Sequence, residues 1–419
     1  MWIVVAVLVT AIAVLVALNL ATGEKKITHQ IRHLYPIDSP QFARSIGTLL
    51  GPPLAPGNRV TPLQNGDEIF PAMLDAITGA RRSIDFETYI YWSGEIGRRF
   101  ADALSERARA GVPVHVLLDW VGSGKIDASV IEEMEDAGVI VVKYHPLRWY
   151  TLGRLNNRTH RKLLVVDGRV GFTGGVGIAD EWTGQAQDHE HWRDSHFRIE
   201  GPAVAQMQAA FMDNWMKTRA LVLHGEEYFP HLPALGPHCA QVFKSSANEG
   251  SESVRLMYLL SIASAAERVL IANSYFVPDD LAVETLVQAR SRGVQVEIIV
   301  PGPWIDTETV RRASRSRWGP LLEAGVEIYE YQPTMFHCKV MIVDGIWTSV
   351  GSTNFDNRSF RLNDEANLNV LDHDLAAELE RVFEADKAAS RRITYDMWRR
   401  RPARERLVEA AAGLLRAQL

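Results

Sequence analysis

The sequence predicts an α/β protein of two similar lobes behind a membrane-spanning helix, and three observations lead there. Strand-length apolar runs alternate with helical stretches over most of the chain, the pattern of α/β architecture. Blocks of sequence recur in the same order in the two halves. Trp2 to Leu20 carries no charge and is nearly all Val, Ala, Leu and Ile.

The N-terminal run matches the roughly 20 apolar residues that span a bilayer. A cleaved signal peptide would want a basic start and a small-x-small cleavage site, and neither is present. Lys25, Lys26 and Arg32 follow the run while no side-chain charge precedes it, which points to a cytoplasmic body. Residues 1–20 are expected to be the anchor, and 21–58 a connector ending in the stiff stretch GPPLAPG at 51–57.

Beyond the connector the chain repeats itself. ARRSIDFETYIYW from Ala80 matches AERVLIANSYFVP from Ala266, and RARAGVPVHVLLD from Arg107 matches ARSRGVQVEIIVP from Ala289. HRKLLVVDG (His160 to Gly168) then matches HCKVMIVDG (His337 to Gly345), TGG at 173–175 matches VGS at 350–352, and DSHFRIEG from Asp194 matches EANLNVLD from Glu365. Five blocks in one order indicate a duplication. The lobes are assigned to 59–230 and 231–395, with an arginine-rich helical tail at 396–419. Phe100 to Ala110 and Leu281 to Ala289 are expected helices.

Composition narrows the function. A chain of 419 residues has ample core for two domains. A net charge of −6 argues against bulk nucleic-acid binding. Two cysteines, Cys239 and Cys338, build neither a disulfide framework nor a zinc cluster. Cys338 lies between His337 and Lys339, so on a strand it faces the other way and reads as a core thiol.

His160 and Lys162 point together on a strand, as do His337 and Lys339. A buried lysine is costly without an anionic partner, and two such pairs at duplicated positions point to a bound anion, which phosphate fits. If the lobes pack about a pseudo-twofold axis, the four groups converge in one cleft. One neutral histidine would attack phosphorus and form a phosphohistidine. The other, protonated, would give its proton to the leaving alcohol and take one from the acceptor. The lysines would stabilise the phosphoryl oxygens. Each imidazole needs a carboxylate on its other nitrogen; Asp194 and Glu365, at matching repeat positions, are the candidates. Lysines beside the histidines speak against a metal ion, and no phosphate-binding G-x-x-x-x-G-K-[ST] loop is present, so no cofactor is expected. Asp167 and Asp344 end their strands in Asp-Gly, a hairpin signal that gives them a turn role.

The double HxKxxxxD pattern, followed by Gly-Gly or Gly-Ser and by Asn354, resembles the phospholipase D superfamily. GSTNFDNRSFRLNDE (Gly351 to Glu365), FETYIYW (86–92), HPLRWYTLGRLNNRTHRK (145–162) and AGVEIYEYQPTMFHCK (324–339) resemble its bacterial cardiolipin synthase branch. The likeness runs from about Gly66 to the C-terminus. It implies two lobes with mixed sheets flanked by helices, one metal-free site at their interface, and a phosphatidyl-histidine intermediate. It further implies that His160 is the nucleophile and His337 the acid and base. Lys162, Lys339 and Asn354 would bind phosphate, and Asp167 and Asp344 are counted with the site. The implied activity is phosphatidyl transfer between phosphatidylglycerol molecules at the bacterial inner membrane. Phospholipid hydrolysis, nucleic-acid phosphodiester cleavage and a catalytically silent membrane scaffold are the alternatives. One departure stands out: Gly177 occupies the first-lobe position where many relatives carry the asparagine matching Asn354.

Three further segments invite a role. Leu147 to Arg161 interleaves arginines with Trp149 and Tyr150, as an interfacial loop would. Glu87 and Tyr89 leave a strand end toward the expected cleft. RRITYDMWRRRPARER, from Arg391, would suit anionic lipid or a solvated helix with acidic neighbours.

Overall fold

The computed structural model of the chain describes residues 2–20, 27–146, 156–246, 252–415 and 418, with side chains of the N-terminal helix described as far as Val14. That helix spans Trp2–Leu20, and its described side chains are exposed. Among the described residues no helix is long and apolar enough to cross a membrane.

The first lobe contributes strands β1 (Ala55–Gln64), β2 (Ile84–Thr88), β3 (Val114–Asp119), β4 (Ile140–Tyr144), β5 (Arg158–Thr159), β6 (Leu163–Val166), β7 (Val170–Gly174) and β8 (Ser195–Glu200). The second contributes β9 (His238–Ser245), β10 (Arg268–Asn273), β11 (Phe276–Val277), β12 (Gln295–Pro301), β13 (Glu327–Tyr331), β14 (Lys339–Val343), β15 (Trp347–Gly351), β16 (Phe355–Asp356), β17 (Asn363–Leu371) and β18 (Ser390–Ile393). The first-lobe order β4-β3-β2-β6-β7-β8-β1 recurs in the second as β13-β12-β10-β14-β15-β17-β9, and β18 extends the outer edge. In each lobe three strands run parallel at the outside, β2 with β3 and β4, and β10 with β12 and β13. The inner strands are antiparallel. Both sheets are therefore mixed, as expected.

The lobes do more than touch. Equivalent strands β1 and β9 pair antiparallel at Ala55↔Ala240 and Asn58↔His238, so the two sheets join into one, with a local twofold axis between them. Helices cover both faces. Val204–Arg219 and His373–Ala388 lie over one shared cluster that includes Trp215, Phe197, Val242 and Leu368. On the opposite face, Glu95–Arg109 caps the first lobe and Ser253–Ser264 and Asp280–Ser291 cap the second. These helices include both expected ones.

The segment assigned as a connector carries structure of its own. Ser39 caps a helix, Pro40–Leu49, whose Phe42 and Ile46 are buried against the second lobe. Its last residues begin β1. Cys338 is a buried core thiol, 1% exposed.

Candidate active site

Each histidine lies just ahead of an inner strand, on a stretch that crosses to the other lobe. Arg158 and Thr159 pair in parallel with Asn363 and Asp364 of β17, and His160 N–H donates to Asp364 O at 2.8 Å. By the same operation Arg193 bridges to Phe336, and His337 N–H donates to Arg193 O at 2.7 Å. Backbone bonds across the lobe boundary thus set both imidazoles.

The carboxylates are exchanged in the same way. His160 Nδ1 lies 3.0 Å from Glu365 Oε1, and His337 Nδ1 lies 2.7 Å from Asp194 Oδ2. Each lobe supplies one histidine and the partner of the other. With Nδ1–H committed to a carboxylate, Nε2 of His160 is left for the cleft, while Nε2 of His337 lies 3.1 Å from Lys339 Nζ. Trp182 Nε1–H donates to Asp194 at 3.0 Å, and Ser195 N–H donates to it at 2.8 Å. Ser352 Oγ–H donates to Glu365. Gly175 takes the first-lobe place of Ser352, and a Cβ there would lie 2.2 Å from Asp194 Oδ1. Only glycine lets that carboxylate close on His337.

Both lysines lie beside their histidines, and Lys162 lines the cleft. Lys162 Nζ donates to His160 O at 2.9 Å and lies 5.7 Å above the Tyr89 ring. Lys339 Nζ donates to His337 O at 2.6 Å and to Ser274 Oγ at 2.7 Å. Ser274 Oγ–H in turn donates to Asn354 Oδ1 at 2.8 Å, leaving the amide N–H groups of Asn354 for a ligand. His160, Lys162, His337, Lys339 and Asn354 are at most 8% exposed. Both histidines, Lys162 and Asn354 line one cleft of about 640 Å³.

Electrostatics show what the cleft lacks. Burial lowers Lys162 to about 7, aided by the charge of Lys339, and lowers Lys339 to about 8 against the pull of Asp194. Burial likewise lowers His160 to about 4, opposed by Glu365, and His337 to about 3, with Lys339 adding to the fall. Burial alone would raise Asp194 and Glu365, but His337 and His160 respectively hold each below the usual carboxylate range. Four basic groups crowd one low-dielectric space, and a phosphodiester anion would compensate them.

Asp167 and Asp344 are not brought to this cleft. Asp167 Oδ1 accepts from the N–H groups of Arg82 and Ser83 at 2.7 and 3.1 Å, and Asp344 Oδ1 accepts from those of Glu267 and Arg268 at 2.9 and 2.7 Å. Both sit at positive φ (54° and 50°) in Asp-Gly turns. Both carboxylates are taken up by these turns, as their Asp-Gly signal suggests, and neither lines the cleft.

Tyr89 lines the cleft with its ring edge-on to His160 at 5.2 Å. Glu87 does not; it is fully buried, accepting from Thr159 Oγ1 and from Asn214 Nδ2. Gly177 leaves no room for the missing asparagine, because a Cβ there would lie 2.9 Å from Ile90 Cβ. Residues 147–155 of the arginine-aromatic loop lie outside the described residues. Arg158 and Arg161, at its end, are buried, and Arg161 is held by Ala210 O, Asp213 and Ser245 O. Neither reaches a lipid surface.

Sequence reasoning missed Ser274, Trp182 and Ser352. Ser274 lies in a repeated block and precedes Tyr275, the counterpart of Tyr89, so that block held the signal. Trp182 had none beyond its size.

Two repeated HxK lobes closing on one cleft define a phospholipase D-like architecture. The sequence model of the family described as cardiolipin synthase, PLD-like domain, matches residues 73–215 and 258–387. The chain is 37% identical over 356 residues to cardiolipin synthase 2 of Bacillus anthracis, covering 84% of this chain and 69% of that one. It is 36% identical over 366 residues to cardiolipin synthase of Geobacillus thermodenitrificans, covering 87% and 73%. The chain belongs to the cardiolipin synthase, PLD-like family. In fold it is similar to the crystal structure of phosphatidylserine synthase from Haemophilus influenzae, with a TM-score of 0.69 at 15% identity over 90% of this chain and 99% of that one.

Proposed function

We propose that the protein is a membrane-anchored phosphatidyltransferase that makes cardiolipin. It transfers a phosphatidyl group from one phosphatidylglycerol to a second and releases glycerol. The observation that carries this reading is the cross-paired cleft, where two imidazoles, Lys162 and Asn354 line one space large enough for a phosphodiester headgroup.

In the first step, with the substrate's phosphodiester anion bound and His337 protonated, His160 Nε2 attacks phosphorus as the bond to the glycerol oxygen breaks, and that oxygen takes the proton from His337 Nε2. In the second, a hydroxyl of the acceptor lipid attacks phosphorus and its proton passes to His337. The P–N bond breaks and returns His160 neutral. Lys162, Lys339 and the Asn354 amide stabilise the phosphoryl oxygens. Glu365 and Asp194 hold the tautomers.

The uncharged apolar sequence from Trp2 to Leu20 supports an anchor in the bacterial inner membrane. Lys25, Lys26 and Arg32 support a cytoplasmic body. Purified protein in detergent, given labelled phosphatidylglycerol, should release glycerol and form cardiolipin, and neither His160→Asn nor His337→Asn should. Phosphatidic acid as sole product would make it a hydrolase. Cleavage of single-stranded DNA without lipid turnover would overturn the assignment, and no turnover of either substrate would favour a scaffold.

A further inference from the structure

The two walls of the cleft differ, although the lobes repeat. On the first-lobe side, Ile90, Trp92 and Val121 line it with Tyr89, with the charged Lys125 and Glu181 among them. On the second-lobe side stand Tyr275, Asp306, Thr307 and Asp356. The second wall is built and braced. Asn273 Oδ1 accepts from both Tyr275 N–H and Phe355 N–H, at 3.2 and 2.9 Å. The short parallel pair β11–β16 then aligns Phe276 with Phe355 and Val277 with Asp356. Tyr275 and Asp356 are thereby fixed beside Ser274 and Asn354, the phosphate-facing pair. In the first lobe this pairing shrinks to a single bridge, Tyr91↔Ile178.

Among the described residues, the groups on the second wall carry hydrogen-bonding capacity that no protein group consumes. Tyr275 O–H donates to Asp306 Oδ2 at 2.6 Å, and its oxygen lies 3.3 Å from Thr307 Oγ1. Asp306 Oδ1 has no hydrogen-bond partner among the described residues. Asp356 is 2% exposed, and its Oδ1 caps the helix Asn357–Arg361 through Ser359 N–H at 2.8 Å, with Oδ2 left unpartnered among the described residues. Burial raises Asp356 to about 7, so it can offer a proton as well as accept one.

We propose that Tyr275, Asp306, Thr307 and Asp356 form a polyol subsite that takes the hydroxyl-bearing headgroup of the leaving and the incoming alcohol. This rests on the transfer reading above. An in-line displacement puts nucleophile and leaving group on opposite sides of phosphorus. With His160 attacking, the alcohol leaves toward His337, and His337 is linked to this wall through Lys339 Nζ, which donates to both His337 O and Ser274 Oγ beside Tyr275. Two vicinal hydroxyls need acceptors and donors in alternation, which this wall offers.

A competition assay tests it. Full-length protein in mixed micelles receives a phosphatidyl donor together with glycerol, ethanol and ethanolamine, and the phosphatidyl products are counted. The parent should favour glycerol over ethanol at equal concentration. Asp306→Asn with Tyr275→Phe, and separately Asp356→Asn, should each lower the glycerol-to-ethanol product ratio at least tenfold, whatever happens to total turnover. A ratio unchanged in both variants, or a parent preference for ethanolamine, would overturn the subsite while leaving the transfer reading intact. No phosphatidyl transfer by the parent to any alcohol would instead sink the transfer reading on which the subsite rests.

Discussion

At the scale of single residues, the lysines set the character of the site. Their charged forms are disfavoured in the substrate-free cleft, so they cost stability near neutral pH. The sign follows from linkage. A lysine lowered in the folded state to about 7, as Lys162 is, binds its proton more readily when unfolded. Its penalty therefore grows as pH falls from above 10 toward 7 and is full below that. Lys162→Met should abolish transfer yet raise Tm, by about 2–4 °C for each kcal/mol recovered, and more at pH 6 than at pH 9. Differential scanning calorimetry at the two pH values checks it; a lower Tm would mean the ammonium is already satisfied. The same shift governs ligand binding. Inorganic phosphate should bind with proton uptake and weaken as pH rises through 7 to 8, where Lys162 and Lys339 discharge. Calorimetric titration in buffers of different ionisation enthalpy measures the protons taken up.

Among elements, the cross-lobe segments carry the geometry. The stretch that delivers Asp194 to His337 is tied to the helix His373–Ala388 by a buried two-point pair. Arg193 Nε and Nη2 donate to Asp386 Oδ1 and Oδ2, each at 2.9 Å. Removing one partner of a buried pair costs about 3–5 kcal/mol. Asp386→Ala should therefore lower Tm by several degrees and depress kcat, although Asp386 does not line the cleft. An unchanged kcat would detach this pair from the site. The elements also show what was legible in the sequence. The HxK strands, the Asp-Gly turns and the order of repeated blocks are local patterns, and they were readable. β1 was not: Pro56, Gly57 and Pro62 give APGNRVTPLQ the look of a loop. β9 pairs with it only at Ala55 and Asn58, with an irregularity between, so neither proline has to donate to that neighbour. The helix Pro40–Leu49 was readable from Phe42 and Ile46, but the prolines around it hid it.

For the whole molecule, the decisive feature is that neither lobe contains a complete histidine–carboxylate pair. Repeat symmetry nominated Asp194 and Glu365, yet could not say which histidine each serves. That depends on β5 and Arg193 crossing the lobe boundary, a tertiary event that leaves no periodicity in the chain. It also explains why Gly175 and Ser352 differ at equivalent places. Gly175 leaves room for Asp194 to close on His337, and Ser352 donates to Glu365. If the site is built within one chain, mixing full-length His160→Asn and His337→Asn proteins should restore no cardiolipin synthesis. Recovery of activity would place the two histidines of a working site on different copies. The proposed chemistry has both imidazoles act on one phosphorus, His160 covalently and His337 by proton transfer. A phosphatidyl ester with a p-nitrophenol leaving group needs no acid to depart, so His337→Asn should still complete the first step and stall at the second. Rapid-quench mass spectrometry of that variant should find one phosphatidyl group per chain on His160, matched by a single-turnover burst of p-nitrophenol. An adduct on another residue, or a burst with no adduct, would contradict it.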